Sequence, residues 1–320
     1  MKRRSNTVNE KTTAALRKPN RTTKQPLKYW DVAESFYKHS RLKGLSPDTL
    51  RYYEKELKQN GRAFTELGAP VENIRLMTAE HIEQLIEYYQ RIHRAPRTIN
   101  SRLRALRTFF AYCVSKGITV TNPVQNIANL KVRHEVGATF SRQQLQRLLD
   151  APKTDTFSGL RDLAIMTTLA HTGIRLKELT SLRLPDISFD GIGTITVQRT
   201  KNRYARRIPL TKQLRRVLAL YIEERGILDT DILFVSMDNA PFAERSIQYQ
   251  LKYYGKISGV GNYVSVSPHA FRRTFCRLKV EAGTNLFLLQ RLTGHSTLDM
   301  LRRYVQIFAT DLEDVIEDGF

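Results

Sequence analysis

The sequence predicts a mainly α-helical chain with one small antiparallel β-sheet in its second half. Two observations carry this. Apolar residues recur at helical spacing through most of the chain, and the only clear extended pattern lies between residues 187 and 210, around glycine turns. A third observation, the length of 320 residues, predicts two domains, each burying its own core.

Residues 1–27 come first as a basic arm. Lys2, Arg3, Arg4, Arg17, Lys18, Arg21 and Lys24 stand there among too few large apolar side chains to fold alone. A solvated flexible tail and an arm that follows phosphates fit this stretch equally well. Residues 28–117 then read as a helical domain. Trp30, Ala33, Phe36 and Tyr37 fall at helix spacing and stop near Gly44. Ser46-Pro47-Asp48 has the form of an N-cap with proline in the first turn, followed by the stripe Leu50, Tyr53, Leu57. Thr78 opens a third helix with Ile82, Leu85 and Ile86 inward. Pro96 opens a fourth, with Ile99, Leu103, Leu106 and Phe110 inward and Gly117 at its end. Arg97, Arg102, Arg104 and Arg107 share that fourth helix with no acid among them, the pattern of a phosphate-contacting face.

Residues 118–140 lack periodicity and contain Asn122-Pro123, Lys131, Arg133 and Gly137, so they are expected to be a basic linker. From 141 to 304 a second domain follows. Ser141 and Gln144 form a capping box before Leu145, Leu148 and Leu149. A helix from about 159 to 172 carries Leu160, Leu163 and Thr167 on one stripe and ends at Gly173, before a short helix with Glu178, Leu179 and Leu182. Ile187, Ile192, Ile195 and Val197, then residues 206–210, predict the sheet, with Lys201 near its hairpin tip. Residues 211–225 and 244–257 are helical, with an apolar extended run at 232–235 between them. Residues 305–320 form an acidic tail in which Leu312, Val315, Ile316 and Phe320 recur at roughly helical spacing.

Charge narrows the partners. The formal net charge is +21, and it is spread: +8 over residues 1–28, +7 over 29–134 and +6 over 135–320. A surplus in every segment suits a protein that wraps a polyanion. No basic amphipathic helix points to a membrane surface, and no apolar run of eighteen or signal peptide stands out, so a cytoplasmic protein without membrane contact is expected. Cys113 and Cys276 sit among apolar neighbours and read as small buried hydrophobes rather than metal ligands.

The chemistry concentrates in residues 268–304. His269 and Arg272 are three apart and share a helix face. His295 follows Gly294, and Tyr304 lies nine residues further on. Two histidines, an arginine and a phenol suggest a site that stabilises an anion and offers it a nucleophile, if the rest of the chain brings them together.

Six polar positions, taken together, resemble the tyrosine recombinases, or phage integrase family. Thr172-Gly173-Ile174-Arg175-Leu176-Lys177-Glu178-Leu179 is similar to the family's first arginine box, and His269-Ala270-Phe271-Arg272 to its second. Leu292-Thr293-Gly294-His295-Ser296 and Tyr304 are similar to its closing motif, and Lys201, before Ile208-Pro209-Leu210, to its hairpin lysine. Residues 46–57 and 97–123 resemble its core-DNA-binding domain. The resemblance implies a helical core-DNA-binding bundle and a mixed α+β catalytic domain forming a clamp on DNA.

It also implies a reaction. Arg175 and Arg272 would hold the non-bridging oxygens of a phosphodiester, with His269 and His295 as further hydrogen-bonding groups. Tyr304 would attack to form a 3′-phosphotyrosyl link, and Lys201 would protonate the leaving 5′-oxygen. His269 is the preferred proton acceptor for Tyr304, although the sequence leaves the two histidines' roles open. Glu178 would orient the site. Neither cofactor nor metal is needed, because the covalent link conserves the bond energy.

The implied partner is double-stranded DNA carrying specific recombination sites, within a homo-tetramer on synapsed DNA whose acidic tails dock on neighbouring protomers or on their own domain. Accessory DNA-binding proteins are left open. The alternatives are DNA relaxation of the type IB topoisomerase kind, or a DNA-binding regulator with an inactive site. DNA target, and the choice among integration, excision, transposition and dimer resolution, are not encoded in these motifs.

Overall fold

The structure is a computed structural model and describes residues 25–132, 137–198 and 205–294. It divides between His134 and Glu135 into two compact units. Helices dominate the described residues of both, and a small sheet belongs to the second.

Among its described residues the first unit packs four α-helices: α1 (Tyr29–Leu42), α2 (Pro47–Glu66), α3 (Ala79–Arg91) and α4 (Pro96–Ser115). Local sequence sets their starts. Ser46 Oγ accepts from the Thr49 N–H at 3.3 Å with Pro47 in the first turn, and Pro96 opens α4. At the head of α3, His81 Nδ1 accepts from the Thr78 N–H at 3.2 Å. The core joins Tyr29, Phe36, Leu57, Phe64, Leu85, Leu103, Leu106 and Phe109. Helix α1 buries Tyr29, Phe36 and Tyr37, and the Tyr29 hydroxyl donates to the Leu57 carbonyl at 2.9 Å. Trp30, expected inside, is 38% exposed and lies edge-on against Tyr29.

Residues 118–132, expected as part of a linker, pack onto this unit instead. Val124 is buried, and Ile127 and Leu130 lean on the core. Side chains rather than regular structure hold the stretch: Asn100 exchanges two 2.8 Å bonds with the backbone of Leu130, and Asn122 Nδ2 donates to the Arg107 carbonyl at 3.0 Å. Such bonds leave no periodicity for a sequence pattern to show.

The second unit contains α5 (Arg142–Leu149), α6 (Phe157–Thr172), α7 (Leu176–Thr180), α8 (Lys212–Arg225), α9 (Glu244–Ile257), α10 (Pro268–Glu281) and α11 (Leu286–Thr293). Strands β1 (Ile187–Ser188), β2 (Thr194–Val197) and β3 (Arg206–Pro209) form one antiparallel sheet with β2 central. Ile195 pairs with Ile187 on one side and Ile208 on the other. Its inner face buries Ile195, Val197 and Ile208, whereas Ile192, expected on a strand, sits exposed in the glycine turn between β1 and β2.

Helix α6 is the axis of this unit. The expected stripe of Leu160, Leu163 and Thr167 understates it, because residues 164–170 are buried on every side. Its polar pair Arg161 and Asp162 is buried with it, joined by two bonds of 3.0 and 2.8 Å, and Tyr254 of α9 donates to Asp162 at 3.0 Å. A buried pair is tolerated when its hydrogen bonds are complete, and this one fixes α9 against α6. Phe140 joins the same core, and its N–H donates to Thr274 of α10 at 2.9 Å. Both cysteines are buried, which pushes the thiols up, Cys113 to about 12 and Cys276 to about 11. Among the described residues no helix is long and apolar enough to cross a membrane.

Candidate active site

Arg175 is placed by a turn that only glycine fits well. Gly173 ends α6 with φ +59°, and a Cβ there would come within 2.5 Å of the Phe275 ring. The chain then leaves α6 abruptly, and Arg175 becomes the extended residue that precedes α7. Its N–H donates to Glu178 Oε2 at 3.0 Å, and its Nη1 to Glu178 Oε1 at 3.1 Å.

His269 and Arg272 come from the start of α10. Ser267 Oγ caps that helix by accepting from the Ala270 N–H at 3.2 Å, and Pro268 sits in its first turn. Arg272 is 7% exposed. It donates from Nη1 to the Gly173 carbonyl at 2.6 Å and from Nη2 to the Thr293 carbonyl at 2.8 Å. Arg175 donates to the Gly294 carbonyl at 2.7 Å, where Gly294 closes α11 with φ +66°. Arg175, His269 and Arg272 therefore line one cleft of about 180 Å3, with its other wall from α9 and residues 266–268.

The electrostatics are those of a site awaiting an anion. Burial first, then the like charge of Arg175, pulls Arg272 down to about 10, so it stays protonated at neutral pH. His269 keeps an open edge, but partial desolvation, then the charges of Arg273, Arg272 and Arg175, hold it below its usual 6.5. It is neutral at physiological pH and able to accept a proton. Burial would raise the Glu178 carboxyl, but hydrogen bonds and charge from Arg206, with the Arg175 N–H and charge, outweigh it and hold the group below 4.5.

Of the residues expected here, Arg175, Glu178, His269 and Arg272 meet at the cleft or its edge. Lys201, His295 and Tyr304 lie outside the described residues, as does the acidic tail 305–320. Two groups went unnoticed in the sequence. Gln248 and Lys252, four apart on α9, line the cleft; nothing but their helical phase marks them. Arg206, at the start of β3, grips Glu178 with bonds of 3.0 and 2.7 Å. Its signal was legible: strand alternation puts Arg206 on the same face as buried Ile208, where a cation needs a partner.

On α4 the four arginines separate. Arg97 and Arg104 are exposed. Arg102 is buried, 3.6 Å from Glu56 and with its guanidinium 4.2 Å from the centre of the Tyr89 ring. Arg107 donates to the carbonyls of Val124 and Ile127 at 3.4 and 2.9 Å. Of the four, Arg97 and Arg104 stay exposed, whereas Arg102 and Arg107 are engaged by the fold. No group of three or more potential metal ligands occurs among the described residues.

Known proteins match this chain over both units. The sequence matches the phage integrase family over residues 138–310, and the phage integrase N-terminal SAM-like domain over residues 34–117. Tyrosine recombinase XerC of Thermodesulfovibrio yellowstonii is 28% identical over 292 residues, covering 88% of this chain and 93% of the relative. Tyrosine recombinase XerD of Pseudomonas aeruginosa is 26% identical over 280 residues, covering 85% and 91%. The fold is similar to the Tn1549 transposon integrase in complex with circular intermediate DNA, with TM-score 0.69, 20% identity and coverage of 85% and 94%. It is also similar to the XerH site-specific recombinase bound to its difH substrate, with TM-score 0.72, 17% identity and coverage of 89% and 83%.

Proposed function

The chain belongs to the phage integrase family, and we propose that it cuts and rejoins DNA through Tyr304 at specific recombination sites. It is a tyrosine-type recombinase, an enzyme that breaks and rejoins DNA strands. The observation that carries the residue assignment is the cleft in which Arg175, Arg272 and His269 converge.

In this reading the two guanidiniums take the non-bridging oxygens of the scissile phosphate. Arg175 makes two side-chain hydrogen bonds within the described residues, so three of its five N–H donors face no protein partner there. Phosphate entry relieves the mutual repulsion of Arg175 and Arg272, and the added charge of the five-coordinate transition state relieves it further. The Tyr304 oxygen forms the new bond to phosphorus as the bond to the 5′-oxygen breaks. The phenol proton passes to neutral His269, and Lys201 supplies a proton to the leaving oxygen. His295 donates a further hydrogen bond to the phosphoryl group. A 5′-hydroxyl from the partner strand reverses these steps, so no nucleotide or metal is consumed.

The substrate is double-stranded DNA. The first unit contributes phosphate contacts through Arg97 and Arg104, and the basic arm of residues 1–27 adds further ones. Four protomers act on two synapsed sites, each with its tail of residues 305–320 on a neighbour. The recombinase relatives match nearly the whole chain, which disfavours both a type IB topoisomerase and an inactive regulator.

Tyr304→Phe on a nicked suicide substrate tests the nucleophile. Wild type is expected to accumulate a covalent protein–DNA adduct and the variant none; an adduct formed equally by the variant rules out Tyr304.

A further inference from the structure

Three successive carbonyls at the end of α11 each receive one arginine, and each arginine comes from a different element. Arg206 Nε of β3 donates to Leu292 O at 2.8 Å. Arg272 of α10 takes Thr293 O at 2.8 Å, and Arg175, from the turn before α7, takes Gly294 O at 2.7 Å. The last carbonyls of a helix lack partners and carry its negative end, so three guanidiniums are well placed there. Residue 295 follows directly. Two of these arginines have their work in the phosphate cleft. The third, Arg206, does not line it.

Its other bonds show what it does. Glu178 lies between Arg206 and Arg175, and Arg206 holds both carboxylate oxygens, Nη1 to Oε1 at 3.0 Å and Nη2 to Oε2 at 2.7 Å. Arg175 has one side-chain bond to the same carboxylate, at 3.1 Å, to an oxygen that Arg206 already shares. The Arg206 and Glu178 side chains are 9% and 6% exposed, whereas that of Arg175 is 33% exposed. The bidentate, desolvated pair is thus Arg206–Glu178, and Arg175 keeps most of its charge for the cleft.

We propose that Arg206 is a positioning residue for DNA cleavage: it occupies Glu178 so that Arg175 is aimed at, and charged toward, the phosphate. It also locks the end of α11. Without Arg206, Glu178 turns fully onto Arg175, and the phosphate must compete with a carboxylate for that guanidinium. This rests on Arg175 acting on the scissile phosphate, as argued above.

The test is single-turnover adduct formation on the suicide substrate at saturating protein, with DNA affinity and thermal melting measured alongside. Arg206→Met is expected to slow cleavage by about 10–100-fold while DNA affinity stays within about threefold. A merely structural staple predicts that adding Glu178→Gln makes matters worse. Here Glu178→Gln removes the competing charge but still accepts from the Arg175 N–H, so the double variant is expected to regain about fivefold or more over Arg206→Met. No gain in the double variant, or Arg206→Met cleaving within about threefold of wild type, overturns the proposal. Should Arg206→Met not fold, Arg206→Lys decides. It keeps one charge but loses the fork, and about a tenfold loss supports the proposal while a wild-type rate overturns it. If wild type forms no adduct at all, the catalytic reading itself has failed; if wild type forms it and Tyr304→Phe does not, only the role of Arg206 is at issue.

Discussion

Replacing Arg272 by lysine keeps the charge and removes the fork, which separates electrostatics from geometry. Arg272 spans two backbone carbonyls, Gly173 at 2.6 Å and Thr293 at 2.8 Å, from a nearly buried position. A lysine ammonium is a single point on a flexible stem and can satisfy one of them well. Losing one charge-assisted hydrogen bond in a buried site costs about 1.5–3 kcal/mol of stability. The loss in cleavage is expected to be larger than a general loosening gives, because a preorganised donor aimed at the developing charge is worth about 10²–10³ in rate. The assay is the single-turnover rate of adduct formation at saturating protein, beside a melting curve. Arg272→Lys cleaving within about threefold of wild type would refute the fork argument, since charge alone would then suffice.

Other expectations follow from the same geometry. On α4, Arg97→Ala with Arg104→Ala should weaken DNA binding and flatten the dependence of log affinity on log salt by about 2, whereas Arg102→Ala should leave that slope unchanged and instead lower stability by about 3 kcal/mol, since it strands buried Glu56. Equal salt slopes for both would undo the division. The pH profile of cleavage at subsaturating DNA should have an acid limb set by His269 below 6.5: its depressed pKa keeps the ring neutral as pH falls to that point, and activity is lost only below it. A midpoint at or above 6.5, or a limb that persists in His269→Ala, would contradict its role as proton acceptor. Removing residues 311–320 should abolish synapsis while single-site binding survives; unchanged recombination would exclude exchange of the tail between protomers.

Much of the fold could be read before the structure because its punctuation is local. Ser46-Pro47, Pro96, the Ser141 and Gln144 box and the glycine stop at Gly173 each fix a terminus by their own chemistry. Patterns failed where burial departs from a simple stripe. Helix α6 is enclosed on all sides, so its apolar residues mark no single face, and residues 118–132 are held by Asn100, Asn122 and Arg107 without any period. Arg102 is buried for an instructive reason. It stands three residues after Ile99 and four before Leu106, squarely on the buried face, so its position on the helix, rather than its charge, decided where it went. Within the site, spacing singled out His269 and Arg272, and the family resemblance added Arg175 and Glu178. Arg206 was passed over because its partner is 28 residues away and only the folded sheet brings the two together.

On the proposed mechanism Tyr304 carries the DNA in the covalent intermediate. Peptide mapping of the trapped adduct by mass spectrometry after nuclease and protease digestion tests it directly. A nucleotide remnant linked through its 3′-phosphate is expected on the peptide containing Tyr304. A remnant on any other residue, or a 5′-phosphate linkage, would contradict it.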